Sequence, residues 1–242
     1  MNIVVLDQLW VYLSGNPLLS LLVTLLAFLL ASHVNRWSGG STLLHPVIVS
    51  VALLILFLLA TGIDYATYFK GAQFIHFLLG PATVALAIPL YDHRERVRKL
   101  LWPILISCVA GVVTASLSSL GIALLMGASR ETLLSLATKS VTSPIAMGIA
   151  EQLGGIPALA AGLVLLTGSV GCALGPWLFR WLGIRDPAVR GFTMGLAAHG
   201  FGTAYCFASI GAVAGAFAGL SMGLTGLLTA FILPVLVGML NI

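Results

Sequence analysis

Charge is what this chain lacks most. Of its 242 residues only 7% are Asp, Glu, Lys or Arg, while 60% are hydrophobic, and the mean hydropathy is +1.11. A soluble domain carries about a quarter charged residues, so seven acids and eleven bases cannot keep a globule of this length wet. A soluble enzyme, a nucleic-acid binder and a disordered chain are excluded; the composition is that of an integral membrane protein. Cysteine is scarce too. Cys108, Cys172 and Cys206 all lie in apolar stretches, and an odd number there reads as small buried hydrophobes, not as a disulfide framework. There is no H-E-x-x-H pattern, Cys/His cluster or phosphate loop, so no metal or nucleotide cofactor is expected and the chain is not expected to be an enzyme. The first 16 residues contain no Lys or Arg, so the positive n-region of a cleavable signal is missing.

What is present is long apolar runs, each near the roughly 20 residues a bilayer requires. Pro17–Val34, Leu44–Gly62, Leu100–Met126, Ile156–Leu178 and Val213–Leu240 read as spans, and Met1–Leu13 as a short interfacial lead-in helix. Phe74–Tyr91, Glu131–Gly155 and Pro187–Gly211 are apolar enough to enter the membrane, yet Gly, Pro and hydroxyl residues interrupt each of them. The expectation is an all-α polytopic membrane protein, one domain over residues 1–242, with seven or eight membrane elements including interrupted or re-entrant helices.

The few charges report topology. Arg94, Arg96, Arg98 and Lys99 cluster in one connection, and Arg180, Arg185 and Arg190 flank another, the pattern of cytoplasmic loops. With the Arg94–Lys99 loop inside, a full span at Glu131–Gly155 would place the second cluster outside. A helical hairpin that enters and returns at Glu131–Gly155 keeps both clusters on one side. A weak internal repeat accompanies this: Gly80-Pro81-Ala82 aligns with Ser143-Pro144-Ile145, Pro103 with Pro157, and Leu120-Gly121 with Leu174-Gly175. Repeats around interrupted helices are common in secondary transporters.

Lipid offers the backbone no hydrogen-bond partners, so helices break within it only where protein or a wet cavity satisfies them. At Gly80-Pro81 and Ser143-Pro144 a second half-helix would start with Pro in its first position, where the missing N–H costs nothing. Its free N–H groups and positive end would form an anion site; the plainer alternative is a proline kink. Lys139, with Ser140, Thr142 and Ser143 beside it, could hold a carboxylate, since an intramembrane charge is costly without a function, or could snorkel to the interface. Thr83 follows the first break. Glu151, seven residues after Pro144, is a proton-carrier candidate or an exposed interfacial acid. His199 with Gly200, Gly202 and Thr203 makes a third polar break, suited to proton coupling or to a structural hydrogen bond; His76 is a weaker parallel. Glycines 211, 215, 219 and 223 form a stripe read as helix packing. That stripe also accounts for the Gly219-Leu220-Ser221-Met222-Gly223 match to a hydrolase elbow, which needs a strand-turn-helix context.

Three stretches together, Phe77-Leu78-Leu79-Gly80-Pro81-Ala82-Thr83, Lys139-Ser140-Val141-Thr142-Ser143-Pro144-Ile145-Ala146 and His199-Gly200-Phe201-Gly202-Thr203-Ala204, resemble the LrgB/CidB family. The resemblance runs from about residue 14 to 240. The family's two threonines before the proline read Thr142-Ser143 here, so the hydroxyl survives. The resemblance implies two functions. One is transport, since the plastid relatives carry glycolate and glycerate and some bacterial pairs are linked to pyruvate uptake. The other is an antiholin-like regulator of murein hydrolase export and cell lysis with no substrate of its own, beside a small LrgA/CidA-type membrane protein. Interrupted helices and an intramembrane lysine favour the first: an ion-coupled secondary transporter of small monocarboxylates in a bacterial inner membrane. Its carboxylate would be bound by Gly80, Pro81, Thr83, Lys139, Ser140, Thr142, Ser143, Pro144, Gly202 and Thr203, with Glu151 or His199 coupling to a proton. The expected associates are lipid, a small LrgA/CidA-type partner and further copies of the chain, and no nucleic acid.

Overall fold

In a computed structural model of the chain, residues 17–41 and 44–240 are described; the lead-in helix expected over Met1–Leu13 falls outside them. The described residues are helical without a strand, and five stretches are long and apolar enough to cross a bilayer: Pro17–Trp37, Tyr65–Asp92, Leu101–Leu125, Pro157–Trp181 and Ala212–Leu240. The protein is an all-α, multi-pass membrane protein. It divides into two compact units after Ala85.

The first unit holds α1 (Pro17–Trp37), α2 (Pro46–Thr61) and α3 (Tyr65–Ala85). Helices α1 and α3 cross where Gly71 meets Ser20, so closely that a Cβ on Gly71 would lie 2.6 Å from the serine Cβ. The Thr24 and Tyr68 hydroxyls share a 2.7 Å hydrogen bond nearby. Two expectations are corrected here. The span expected over Leu44–Gly62 is a sixteen-residue helix, about 24 Å long at 1.5 Å per residue and shorter than the hydrocarbon core. The half-helix expected to start at Pro81 does not form: α3 runs through Gly80 and Pro81 to Ala85. A helix tolerates a proline when local adjustment re-satisfies the freed carbonyl.

The second unit begins with the short α4 (Ala87–Asp92) and α5 (Arg94–Lys99), then α6 (Leu101–Leu125). Two short helices follow, α7 (Arg130–Ala137) and α8 (Ser143–Leu153), then α9 (Pro157–Trp181), α10 (Pro187–Ser209) and α11 (Ala212–Leu240). Aligned by the internal repeat, α6 and α9 are both 25 residues long, and they run in opposite directions, since α6 leaves the end that α9 reaches. That shared end carries both basic clusters, joined by the 2.5 Å Arg96–Asp186 ion pair. The charge pattern expected both clusters on one side, and they are.

Asp186 also caps α10, accepting from the N–H groups of Ala188 (2.8 Å) and Val189 (3.1 Å). The Val189 hydrogen bond, then those of Ala188 and the Arg96 charge, hold its carboxyl below the usual range. A depressed acid contributes stability above its unfolded pKa and loses it as pH falls through the folded value. Asp186→Ala is therefore expected to cost about 1 kcal/mol at neutral pH, mostly through the cap, because a half-exposed ion pair adds little. Melting curves of the two proteins should converge below about pH 4.

Close helix packing requires several of the glycines. Gly191 and Gly195 of α10 lie against the backbone of Ala214 and Ala218, so α10 and α11 start out parallel and in van der Waals contact. The stripe expected on α11 alone is therefore only part of the interface. Gly211 precedes the helix at φ 129° and Gly223 faces open space. Ser221 donates to the Phe192 carbonyl (2.8 Å) and the Ala218 carbonyl (3.1 Å), so the serine of the hydrolase-like match ties α11 to α10.

Candidate functional site

Helices α7 and α8 are about 12 and 16 Å long at 1.5 Å per residue, each too short to cross. The end of α8 returns to α7: a Cβ on Gly154 would lie 3.6 Å from the Arg130 guanidinium. The Ile156 N–H donates to Ser135 Oγ (2.7 Å), which itself donates to the Glu131 carbonyl (2.7 Å). Gly154, at φ 85°, ends α8 and turns the chain. The pair is thus a helical hairpin with its tip at residues 138–143, the hairpin expected over Glu131–Gly155. Helix α8 starts at Ser143-Pro144 with Thr142 as cap, one residue before the cap expected.

A second hairpin lies within α10. His199 takes φ 40°, ψ −122°, a conformation that interrupts a helix of L-residues and costs strain. A straight helix would separate Arg190 from Ser209 by about 28 Å, yet both line one cleft with Phe179 and Tyr205. Gly202 packs onto the Met194 backbone, an approach only glycine allows. The chain therefore reverses at His199. Its first half runs antiparallel to α9, with Gly175 beside Met194 and Gly171 beside Ala198; its second half returns alongside α9 past Phe201 near Gly168.

The two tips approach from opposite ends and meet at Val164, in the middle of the unit. Val141 of the first tip packs with Ala146, Ala160 and Val164. His199 of the second, 2% exposed, donates its Nε2–H to the Val164 carbonyl (3.1 Å). Lys139 is half-buried and makes one hydrogen bond, to Ser140 Oγ (3.0 Å), which leaves two of its three donors for a ligand. Ser140 in turn lines a narrow crevice with Gly111, Ser116, Leu196, Thr225 and Thr229. Thr225, 1% exposed, has no hydrogen-bond partner for its hydroxyl, although the Cys108 thiol is its neighbour. A buried hydroxyl without a partner is costly and marks where a polar ligand or water would be welcome.

The structure thus brings together Lys139, Ser140, Thr142, Ser143 and Pro144 at the first tip and His199, Gly202 and Thr203 at the second. At the second tip the side chains already have structural work: Thr203 donates to the His199 carbonyl (2.9 Å) and Gly202 closes the turn. Glu151 is exposed in the last turn of α8, at the base of the hairpin and away from its tip. Gly80 and Pro81 belong to the first unit, and the side chains of Thr83 and His76 lie outside the described residues. Sequence reasoning missed Ser116, Thr225 and Thr229. A partial signal exists for two of them, since Ser221, Thr225 and Thr229 recur every four residues in an otherwise apolar helix; Ser116 lies on α6, and that the two helices meet is not encoded locally.

Comparison with known proteins adds independent findings. A family model described as the LrgB-like family matches residues 24–239. The chain is 30% identical over 222 residues to the holin-like protein CidB of Staphylococcus epidermidis, covering 92% of this chain and 96% of that one. It is 29% identical over 219 residues to the antiholin-like protein LrgB of Bacillus cereus, 90% and 95% of the two chains. It is also 35% identical over 199 residues to the uncharacterized protein YxaC of Bacillus subtilis, 82% and 86% of the two. No solved structure matches.

Proposed function

The chain belongs to the LrgB-like family, and on that footing we propose that it is a carrier of small monocarboxylates whose anion site lies where the two hairpin tips meet. The observation that carries this reading is Lys139: a half-buried cation in an apolar unit, without an ion-pair partner among the described residues, bonded only to Ser140. Such a charge is retained at a cost only where something uses it. A short carboxylate such as glycolate, glycerate or pyruvate would take the free Lys139 donors and the hydroxyls of Ser140, Thr142 and Ser143. The N-terminus of α8 adds its unpaired N–H groups and positive end. The Thr225 hydroxyl completes the crevice. Of the two candidates for the coupling proton, His199 stands at the tip and Glu151 at the hairpin base, so His199 is the better placed. The basic end faces the cytoplasm in this reading, and a small LrgA/CidA-type protein or further copies of the chain are the expected associates.

The names of the relatives, holin-like and antiholin-like, favour a second reading: a regulator of murein hydrolase export and lysis with no substrate. One experiment separates the two. Proteoliposomes holding the protein, with and without a pH gradient and a small LrgA/CidA-type partner, are offered labelled glycolate, glycerate and pyruvate and, in parallel, loaded with a dye. A carrier gives saturable uptake, mutual competition and no dye release; dye release, or no uptake by folded protein, supports the regulator.

A further inference from the structure

At the basic end, away from the hairpin tips, a half-open cleft lies between the last turns of α9 and the returning half of α10. It is lined by Pro176, Phe179, Arg180, Arg190, Tyr205 and Ser209 and has a volume of about 290 Å³. We propose that this cleft binds the phosphate of an anionic phospholipid.

Three features support it. Two arginines, Arg180 and Arg190, line the same cleft beside Tyr205. Arg190 is held in place, with its Nε–H on the Ile184 carbonyl (2.8 Å) and its guanidinium 5.7 Å above the Phe179 ring, so its outer N–H groups remain for a ligand. Neither arginine is seen paired with a carboxylate among the described residues: Asp186, the one acid of the 182–190 connection, is paired with Arg96.

Depth and the approach to the cleft argue for a lipid over a dissolved anion. Trp177 and Trp181 are stacked at 5.9 Å and exposed on the turns that bear Arg180; indoles in that setting sit at head-group level. Below them Leu166, Val170 and Leu174 are each at least half exposed. With the two tryptophans they make an apolar track at helical spacing, about 22 Å long, leading along α9 to Arg180. An acyl chain laid on that track brings its phosphate to the arginines, and basic pockets between membrane helices recognise anionic head groups in this way.

The test is native mass spectrometry and melting in detergent with added phosphatidylglycerol or cardiolipin, against phosphatidylcholine. The anionic lipid should be retained and should raise the melting temperature where phosphatidylcholine does not. Arg180→Gln should weaken that retention about fivefold, the effect of one basic residue at a membrane surface, while Arg94→Gln with Arg98→Gln should not. Arg190→Gln should act in the same direction, but Arg180, exposed and without a bond to lose, decides the matter if that variant fails to fold. Undiminished retention by Arg180→Gln overturns the proposal. So does displacement of the lipid by millimolar inorganic phosphate or glycolate, which would make the cleft a site for free anions.

Discussion

Gly195→Ala lowers the melting temperature of the detergent-solubilised protein by roughly 2–12 °C. The added Cβ would run into the Ala218 carbonyl oxygen and Ser221 Oγ, with the carbonyl carbon 2.7 Å away. Backbone cannot rotate aside, so α10 and α11 must separate and the Ser221–Phe192 hydrogen bond must stretch. Overpacking of this kind costs about 1–3 kcal/mol or more, and in a chain of this size each kcal/mol is worth roughly 2–4 °C. Gly223→Ala is the matched control, because nothing lies within 4 Å of that position and alanine is the better helix former. Fluorescence-detected gel filtration after a temperature series reads both. Equal melting of the two variants would mean that the close approach of α10 to α11 is wrong.

Lys139→Met abolishes uptake of short carboxylates and leaves the protein folded. Methionine fills the volume of the lysine stem, and the only hydrogen bond lost is the one to Ser140, so the melting temperature should hold. The carboxylate, by contrast, loses its counter-charge. Removing one member of a buried charge pair costs about 2–5 kcal/mol, a factor of roughly 30 or more in affinity. Uptake at wild-type rates by the folded variant would remove the anion site from this place. Lys139→Arg is informative beside it: the charge is kept while the single-point geometry is replaced by a fork, so partial activity is the expected result.

Some of this was legible in the sequence for physical reasons. Hydropathy and scarcity of charge fix the solvent, and the two basic connections fix which loops share a side; the Arg96–Asp186 pair bears this out. The hairpin at Glu131–Gly155 followed from charge parity, and its start at Ser143-Pro144 from helix capping. The reversal at His199 was only partly readable. The sequence marks a polar break with Gly200, Gly202 and Thr203, but a φ of 40° at a histidine is imposed by packing against Gly168 and Val164, which no local pattern encodes. Pro81 misled for the opposite reason. A proline permits a helix start but does not compel one, and α3 continues through it. The crevice hydroxyls of Ser116, Thr225 and Thr229 come from two helices that meet only in the folded unit.

The central claim is that this chain by itself holds an anion site between two hairpin tips, and equilibrium binding tests it most directly. Purified protein in detergent, without partner or vesicle, is titrated with labelled glycolate and pyruvate. The account predicts saturable binding of one carboxylate per chain, competed by the other acid and lost in Lys139→Met. Folded wild-type protein that binds neither acid, or a Lys139→Met variant that binds them as well as wild type, would contradict it.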